Sequence, residues 1–222
     1  MLRLSLCLGV AVMSAGSALP PRENIEWANF WFENTNDQKL PRVLLLGDSI
    51  TWQYRPLVAE RLKGIANVDA LATSKAISDP AFLKEVAYAT ADYPHAVIHL
   101  NNGLHGWQVT PEEYEAGLRA LLAQLRAACP ESRLVWASST PVASKAEGVK
   151  LDEGANAVIV ARNAIAQRVA EELGLPVNDL YAVVLGELEQ LTARKGDLHY
   201  NERGKTLQAE AVVQVIKEQL AP

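Results

Sequence analysis

The sequence predicts an α/β fold: a three-layer α/β/α sandwich with a central parallel sheet. Three observations predict it. From Arg42 onward, short apolar runs alternate with amphipathic segments, the pattern that βαβ units leave in a sequence. The runs are nearly continuous rather than alternating, so their strands are expected to be covered on both faces. No repeat, linker or low-complexity stretch divides the chain, so a single domain has to hold them all.

Taken in order, the first run is Val43 to Leu46, ending in Gly47-Asp48-Ser49. A helical stretch through Leu57, Val58, Arg61 and Leu62 follows and is closed by Gly64. Val68 to Ala72 predicts a strand, Pro80 to Ala89 a helix and Ala96 to Leu100 a third, buried strand. The next helix carries the strongest start signal in the chain. Thr110 is an N-cap, Pro111 takes the first helical position and Glu113 completes a capping box. Tyr114, Leu118, Leu121, Leu122 and Leu125 then recur on one face. Arg133 to Ser138 predicts a fourth strand, and Ala155 to Leu173 a long helix stopped by Gly174. Pro176-Val177-Asn178 starts a short fifth extended segment, and Glu202 to Gln219 a final helix.

The N-terminus reads differently. Met1-Leu2-Arg3 carries one positive charge, Leu4 to Met13 is apolar, and Ser14 to Ala18 are small. That is the layout of a secretory leader spanning 1–18, cleaved after Ala18, against the alternative of an N-terminal helix packed on the domain. The apolar run is shorter than the ~20 residues a membrane span needs. Cys7 follows Leu4-Ser5-Leu6 too early for an acylation site, and once the leader is lost Cys129 is the single cysteine, so the fold relies on packing alone. Residues 19–40 form an N-terminal arm and 41–222 the main domain. In the arm, Trp27, Phe30 and Trp31 stand at i, i+3, i+4, which predicts a short helix or arm packed on the domain; an aromatic sugar platform is the alternative.

Composition excludes several function classes. The chain has 222 residues, 49% hydrophobic and 21% charged, an ordinary globular balance. Its net charge of −5, more negative still without Arg3, offers no basic stripe for phosphates, so no nucleic-acid partner is expected. No stable membrane insertion is expected once the leader is gone. No glycine-rich nucleotide loop and no zinc-ligand spacing occurs, so neither cofactor nor metal is called for. His99, among apolar neighbours in its strand, is expected as a core histidine.

The residues that carry chemistry fall on loops at strand carboxyl ends, where parallel sheets place their sites. Ser49 stands at a strand-to-helix turn, its hydroxyl exposed beside a helix N-terminus whose free N–H groups suit an oxyanion; a plain helix N-cap is the alternative. Asp197 and His199, just before the last helix, supply the base that a serine hydroxyl needs and the carboxylate that orients it. In an extended loop, i and i+2 project to one side, so the two can meet. Asn101-Asn102-Gly103-Leu104-His105-Gly106-Trp107, after the third strand, holds amides and an imidazole that can donate to an oxyanion or simply turn the chain.

These blocks resemble the SGNH or GDSL hydrolase superfamily over nearly the whole chain after the leader. Gly47-Asp48-Ser49-Ile50 matches its first block, and Asp197 with His199 its last. Gly103-Leu104-His105 resembles a branch that carries Gly-Leu-His where most members have Gly-x-Asn. The Trp136-to-Val142 and Asn178-to-Tyr181 stretches look like the same branch. The resemblance implies a flavodoxin-like SGNH hydrolase fold, with Ser49 as nucleophile, His199 as general base and Asp197 as its orienting carboxylate. It also implies an oxyanion hole that includes the Ser49 N–H, for which Ser74, Asn102 and His105 are further candidates. This chain departs from the family pattern in three places. One residue rather than two separates Asp197 from His199, no glycine marks the second block in Leu71 to Lys75, and His105 stands in the third-block Asn position.

The expected protein is an exported, periplasmic or secreted, serine esterase of small acyl groups, acetyl first among them, on a small-molecule or carbohydrate substrate. A non-catalytic carbohydrate-binding module on the hydrolase fold and an acyltransferase with the same triad are the alternatives.

Overall fold

The computed structural model describes residues 20–148 and 150–221. The leader reading of 1–18, Cys7 included, lies outside the described residues.

Six strands form one sheet in the order β1-β3-β2-β4-β5-β6. They are β1 (Ala28–Trp31), β2 (Arg42–Gly47), β3 (Asn67–Thr73), β4 (Val97–Leu100), β5 (Arg133–Ala137) and β6 (Val177–Asn178). All neighbours pair in parallel except β1, which runs antiparallel along β3 with Ala28 opposite Thr73. The helices are α1 (Ser49–Arg61), α2 (Pro80–Ala89), α3 (Pro111–Ala128), α4 (Glu153–Leu173), α5 (Leu180–Leu185), α6 (Leu188–Leu191) and α7 (Glu202–Leu220).

The continuous apolar runs follow from coverage on both faces. In β2, Val43 and Leu45 point into a core shared with α1, α5 and α7, while Leu44 and Leu46 point into a second core shared with α2 and α3. α4 contributes to both, through Ile159 on the first side and Ala166, Val169 and Ala170 on the other. The capping box of α3 forms as expected, with Thr110 Oγ1 accepting from the Glu113 N–H and Glu113 accepting from the Thr110 N–H. Gly174 ends α4 in the left-handed region at φ 66°.

Of the two expectations for the arm, packing on the domain holds and the short helix does not: Ala28–Trp31 form a strand. The i, i+3, i+4 spacing coincides with a strand alternation in which Ala28 and Phe30 are half-buried and Asn29 and Trp31 exposed. Phe30 packs edge-on against Tyr88 at 4.9 Å, and the Trp31 ring carries the Arg55 guanidinium at 4.4 Å. The free edge of β3 decides the conformation, because it offers the arm backbone partners that a lone short helix lacks. α5 and α6 have no counterpart among the expected elements. They are too short for a periodic signal, although Asp179 caps α5 through the Ala182 N–H.

His99 is fully buried, and its Nε2 lies 3.1 Å from the Asn178 Nδ2 that donates to it. Burial pushes the ring down to about 4, so it stays neutral in the core. Among the described residues, no helix is long and apolar enough to cross a membrane.

Candidate active site

The order β3-β2-β4 sets the site. The turn after β2 stands in the middle of the sheet, with the loops after β3 and β4 on either side. Gly47 ends β2 directly beneath α1, where an added Cβ would lie 2.1 Å from Thr51 Oγ1, so only glycine fits. Asp48 caps α1, its Oδ1 accepting from the Ile50 N–H at 2.9 Å. It is almost fully buried, and Oδ2 has no partner. Burial pushes its carboxyl up, against the opposing pull of His105, the Ile50 amide and His199. Ser49 is the first helical residue, so its backbone N–H lies outside the helix ladder and has no carbonyl partner within α1.

The structure brings Ser49, His199 and Asp197 together. Ser49 Oγ lies 2.9 Å from His199 Nε2, and His199 Nδ1 lies 3.0 Å from Asp197 Oδ1. The same Asp197 oxygen accepts the His199 backbone N–H at 3.0 Å. The two residues therefore meet through a turn in which the carboxylate folds onto the backbone two positions on, not through the extended alternation expected from their spacing. Gly196 permits that turn with φ at +69°, and a Cβ there would strike Lys145. Burial acts to raise the Asp197 carboxyl, but the His199 amide, the Arg194 guanidinium and the His199 ring outweigh it and hold the group below its ordinary value. An ionised Asp197 accepts a hydrogen bond from Nδ1–H, which leaves Nε2 free to take the serine proton.

The loop is fixed from behind. Thr192 and Tyr200 form a bridge, the Ala193 N–H donates to the His199 carbonyl at 2.9 Å, and the buried Tyr200 hydroxyl donates to the Pro141 carbonyl at 3.0 Å. Beside it runs a groove of about 370 Å³ lined by Ser144, Glu189, Thr192, Arg194 and Lys195.

The three further oxyanion candidates are differently placed. Both donors of Ser74 are committed to the arm: its N–H to the Trp27 carbonyl at 3.0 Å and its hydroxyl to Glu26 at 2.7 Å. Asn102 Nδ2 donates to the Lys75 carbonyl at 2.8 Å. His105 Nδ1 sits 2.7 Å from Glu23 Oε1, and the other ring nitrogen remains. Two residues that sequence reasoning passed over hold this rim. Arg162 of α4 donates to the carbonyls of Gly103, His105 and Gly106 at 2.6–3.0 Å, and Glu23 reaches in from the arm. A buried arginine one turn from Ile159 and Ala166 on an apolar stripe was the available signal for the first. The second had none, because the contact joins residues 82 positions apart.

The geometry is that of a hydroxyl activated by an oriented imidazole beside a helix N-terminus, an arrangement suited to acyl transfer. The chain shares its fold with an aryl esterase of M. smegmatis, at TM-score 0.66 and 16% identity over 81% of this chain and 99% of that one. A GDSL-like lipase from Bacteroides thetaiotaomicron aligns at TM-score 0.63 and 16% identity, over 82% of this chain and 90% of that one. A member of the lipolytic G-D-S-L family from Veillonella parvula aligns at TM-score 0.62 and 18% identity, over 79% and 98%. No curated protein matches by sequence. The profile of the GDSL-like lipase/acylhydrolase family, by contrast, matches residues 45–207, which include Ser49, Asp197 and His199. The chain therefore belongs to the GDSL-like lipase/acylhydrolase family.

Proposed function

We propose that this hydrolase is a serine esterase that removes small acyl groups, acetyl above all, from a carbohydrate, and that it acts outside the cytoplasm once residues 1–18 are cleaved. The observation that carries the reading is the unbroken relay from Ser49 Oγ through His199 to Asp197, at 2.9 and 3.0 Å. In this reading Ser49 Oγ attacks the ester carbonyl and its proton passes to His199 Nε2. Asp197 holds the imidazolium through Nδ1–H. The tetrahedral oxyanion meets the Ser49 N–H at the start of α1. Collapse of the intermediate expels the alcohol, which takes the proton back from His199. Water then follows the same route and releases the acid. The intact relay favours a hydrolase over a non-catalytic module on the same fold.

The test is hydrolysis of p-nitrophenyl acetate and of an acetylated sugar by the purified protein. Both are turned over, and Ser49→Ala lowers kcat on the order of 10⁴-fold or more. Activity retained in that variant overturns the assignment.

A further inference from the structure

Helix α1 carries a stripe that the relay does not use. Ser49, Trp52 and Arg55 stand at i, i+3 and i+6, so they follow one ridge of the helix over about 9 Å of its axis. Ile50, Thr51, Tyr54 and Val58 form the buried face, and Trp52 and Arg55 are half-buried on its flank. Helical side chains lean toward the N-terminus, which carries the Trp52 indole back toward the turn of Ser49. On the far side of Arg55 stands β1, whose alternation leaves Trp31 45% exposed. The Arg55 guanidinium lies 5.0 Å from the Trp52 ring and 4.4 Å from the Trp31 ring. Two indoles from separate elements thus share one cation. Arg55 also lines a cavity of about 410 Å³ together with Glu33, Asn34, Glu60 and Lys63.

We propose that Trp52, Arg55, Trp31 and this cavity form a subsite for a neutral carbohydrate chain, so that the alcohol part of the substrate is an oligosaccharide or polysaccharide rather than a single sugar. This rests on the reading of the substrate as a carbohydrate ester and deepens it. A sugar ring has an apolar C–H face and a rim of hydroxyl groups. The exposed Trp31 indole offers the flat apolar surface that the first needs. The second needs donors and acceptors held side by side. Among the described residues nothing accepts from Arg55 Nε, and Glu33, whose charge Arg55 feels, makes no hydrogen bond with it. The donor fork is therefore not spent on an ion pair, and the two indoles fix it before a ligand arrives, which lowers the cost of ordering it. Glu33 is itself held in place by accepting the Val68 N–H at 2.9 Å. Asn34 gives its amide N–H to Asn67 at 2.8 Å, which leaves its side-chain oxygen to accept. Arg55 and Lys63 balance Glu33 and Glu60 around the cavity, so it selects hydroxyl groups rather than a net charge. The stripe runs from Ser49 past the length of one sugar ring, so only a chain reaches Trp31.

The experiment compares acetylated monosaccharides with acetylated oligosaccharides of the xylo, manno and chito series, with p-nitrophenyl acetate as the substrate that never reaches the stripe. In the wild type, KM falls roughly tenfold from monosaccharide to chain in at least one series, the scale of a single added contact, while kcat changes little. Trp31→Ala and Arg55→Ala abolish that gain and keep wild-type kcat and KM on p-nitrophenyl acetate. Trp31→Tyr, which retains a ring and guards against a loosened β1, keeps most of the gain. Calorimetry of Ser49→Ala with the preferred oligosaccharide reads binding apart from turnover, and adding Trp31→Ala weakens it by the same factor. No chain-length gain in any series, or a gain that survives both alanine variants, overturns the subsite and leaves the nucleophile standing. A wild-type dimer that Trp31→Ala dissociates, read by light scattering, assigns the ring to a second copy of this chain and overturns it too. A wild type that turns over neither p-nitrophenyl acetate nor any acetylated sugar overturns the esterase reading instead, and the calorimetry then decides the sugar site by itself.

Discussion

At Ser49 the chemistry turns on which nitrogen of His199 carries the proton. Asp197 decides this by accepting from Nδ1 and from the backbone N–H with one oxygen. Its carboxyl is held below the ordinary value, so its native-state charge persists as pH falls and is lost only on passing through that depressed pKa. The acid limb of the kcat/KM profile therefore shows one ionisation, the protonation of the imidazole that must accept the serine proton; a limb with a slope of two would contradict this. Asp197→Asn keeps the shape but removes the negative charge that stabilises the imidazolium and lets an amide N–H face Nδ1 in the wrong tautomer, and kcat falls on the order of 10³–10⁴-fold. A fall below tenfold would show that the Asp197 carboxylate is not the orienting group.

Among the elements, turns and caps do most of the placing. Gly47 lets β2 end against Thr51, Asp48 starts α1, and Asn201 starts α7 by accepting the Gly204 N–H at 3.1 Å. The cap of α3 is the one whose energetic role is cleanly separable from the site. Thr110 is exposed and serves only the helix start. Thr110→Ala costs about 1 kcal/mol of unfolding free energy, read as a lower urea midpoint with unchanged slope, while esterase activity at ambient temperature stays at the wild-type level. The β4–α3 loop that precedes this helix is set by tertiary partners instead. Tyr114 donates to the Asn102 carbonyl at 2.7 Å, and Arg162 holds the three carbonyls beyond it.

Across the whole molecule, a buried charge cluster at the amino end of the sheet ties the arm to the domain. Asp69 of β3 accepts from Arg42 at 2.7 Å, His95 Nε2 lies 3.0 Å away, and the Glu33 N–H donates to it at 2.9 Å. Arg42 also donates to the Glu33 and Asn34 carbonyls and lies over the Tyr93 ring at 4.3 Å. Removing one side leaves the arginine buried without its counter-charge, so Asp69→Ala lowers unfolding stability by about 3–5 kcal/mol. The Arg42→Met/Asp69→Leu double variant loses less, since neither charge is then stranded. Guanidinium denaturation of both variants checks the order, and a double variant less stable than the single one would contradict it. The cluster holds one end of the arm and the Glu26, Ser74 and Lys75 contacts hold the other, so β1 is joined to the sheet at both ends.

Much of this was legible in the residues. The α3 cap, the apolar runs of β2, β3, β4 and β5, and the Gly47-Asp48-Ser49 turn are local signals, since capping, pleat and tight turns involve neighbours within a few positions. Ser49, Asp197 and His199 could be named because each occupies a short motif beside a predicted element end. What was decided only by folding is what depends on partners remote in the chain. The free edge of β3 made a strand of residues 28–31, Lys75 took one donor of Asn102 and the arm those of Ser74, and a carboxylate 82 positions away took hold of His105. Local patterns carry backbone propensity and burial. They do not say which of several polar groups a buried donor will meet, because that choice is made by the competition for hydrogen-bond partners once the loops are packed together.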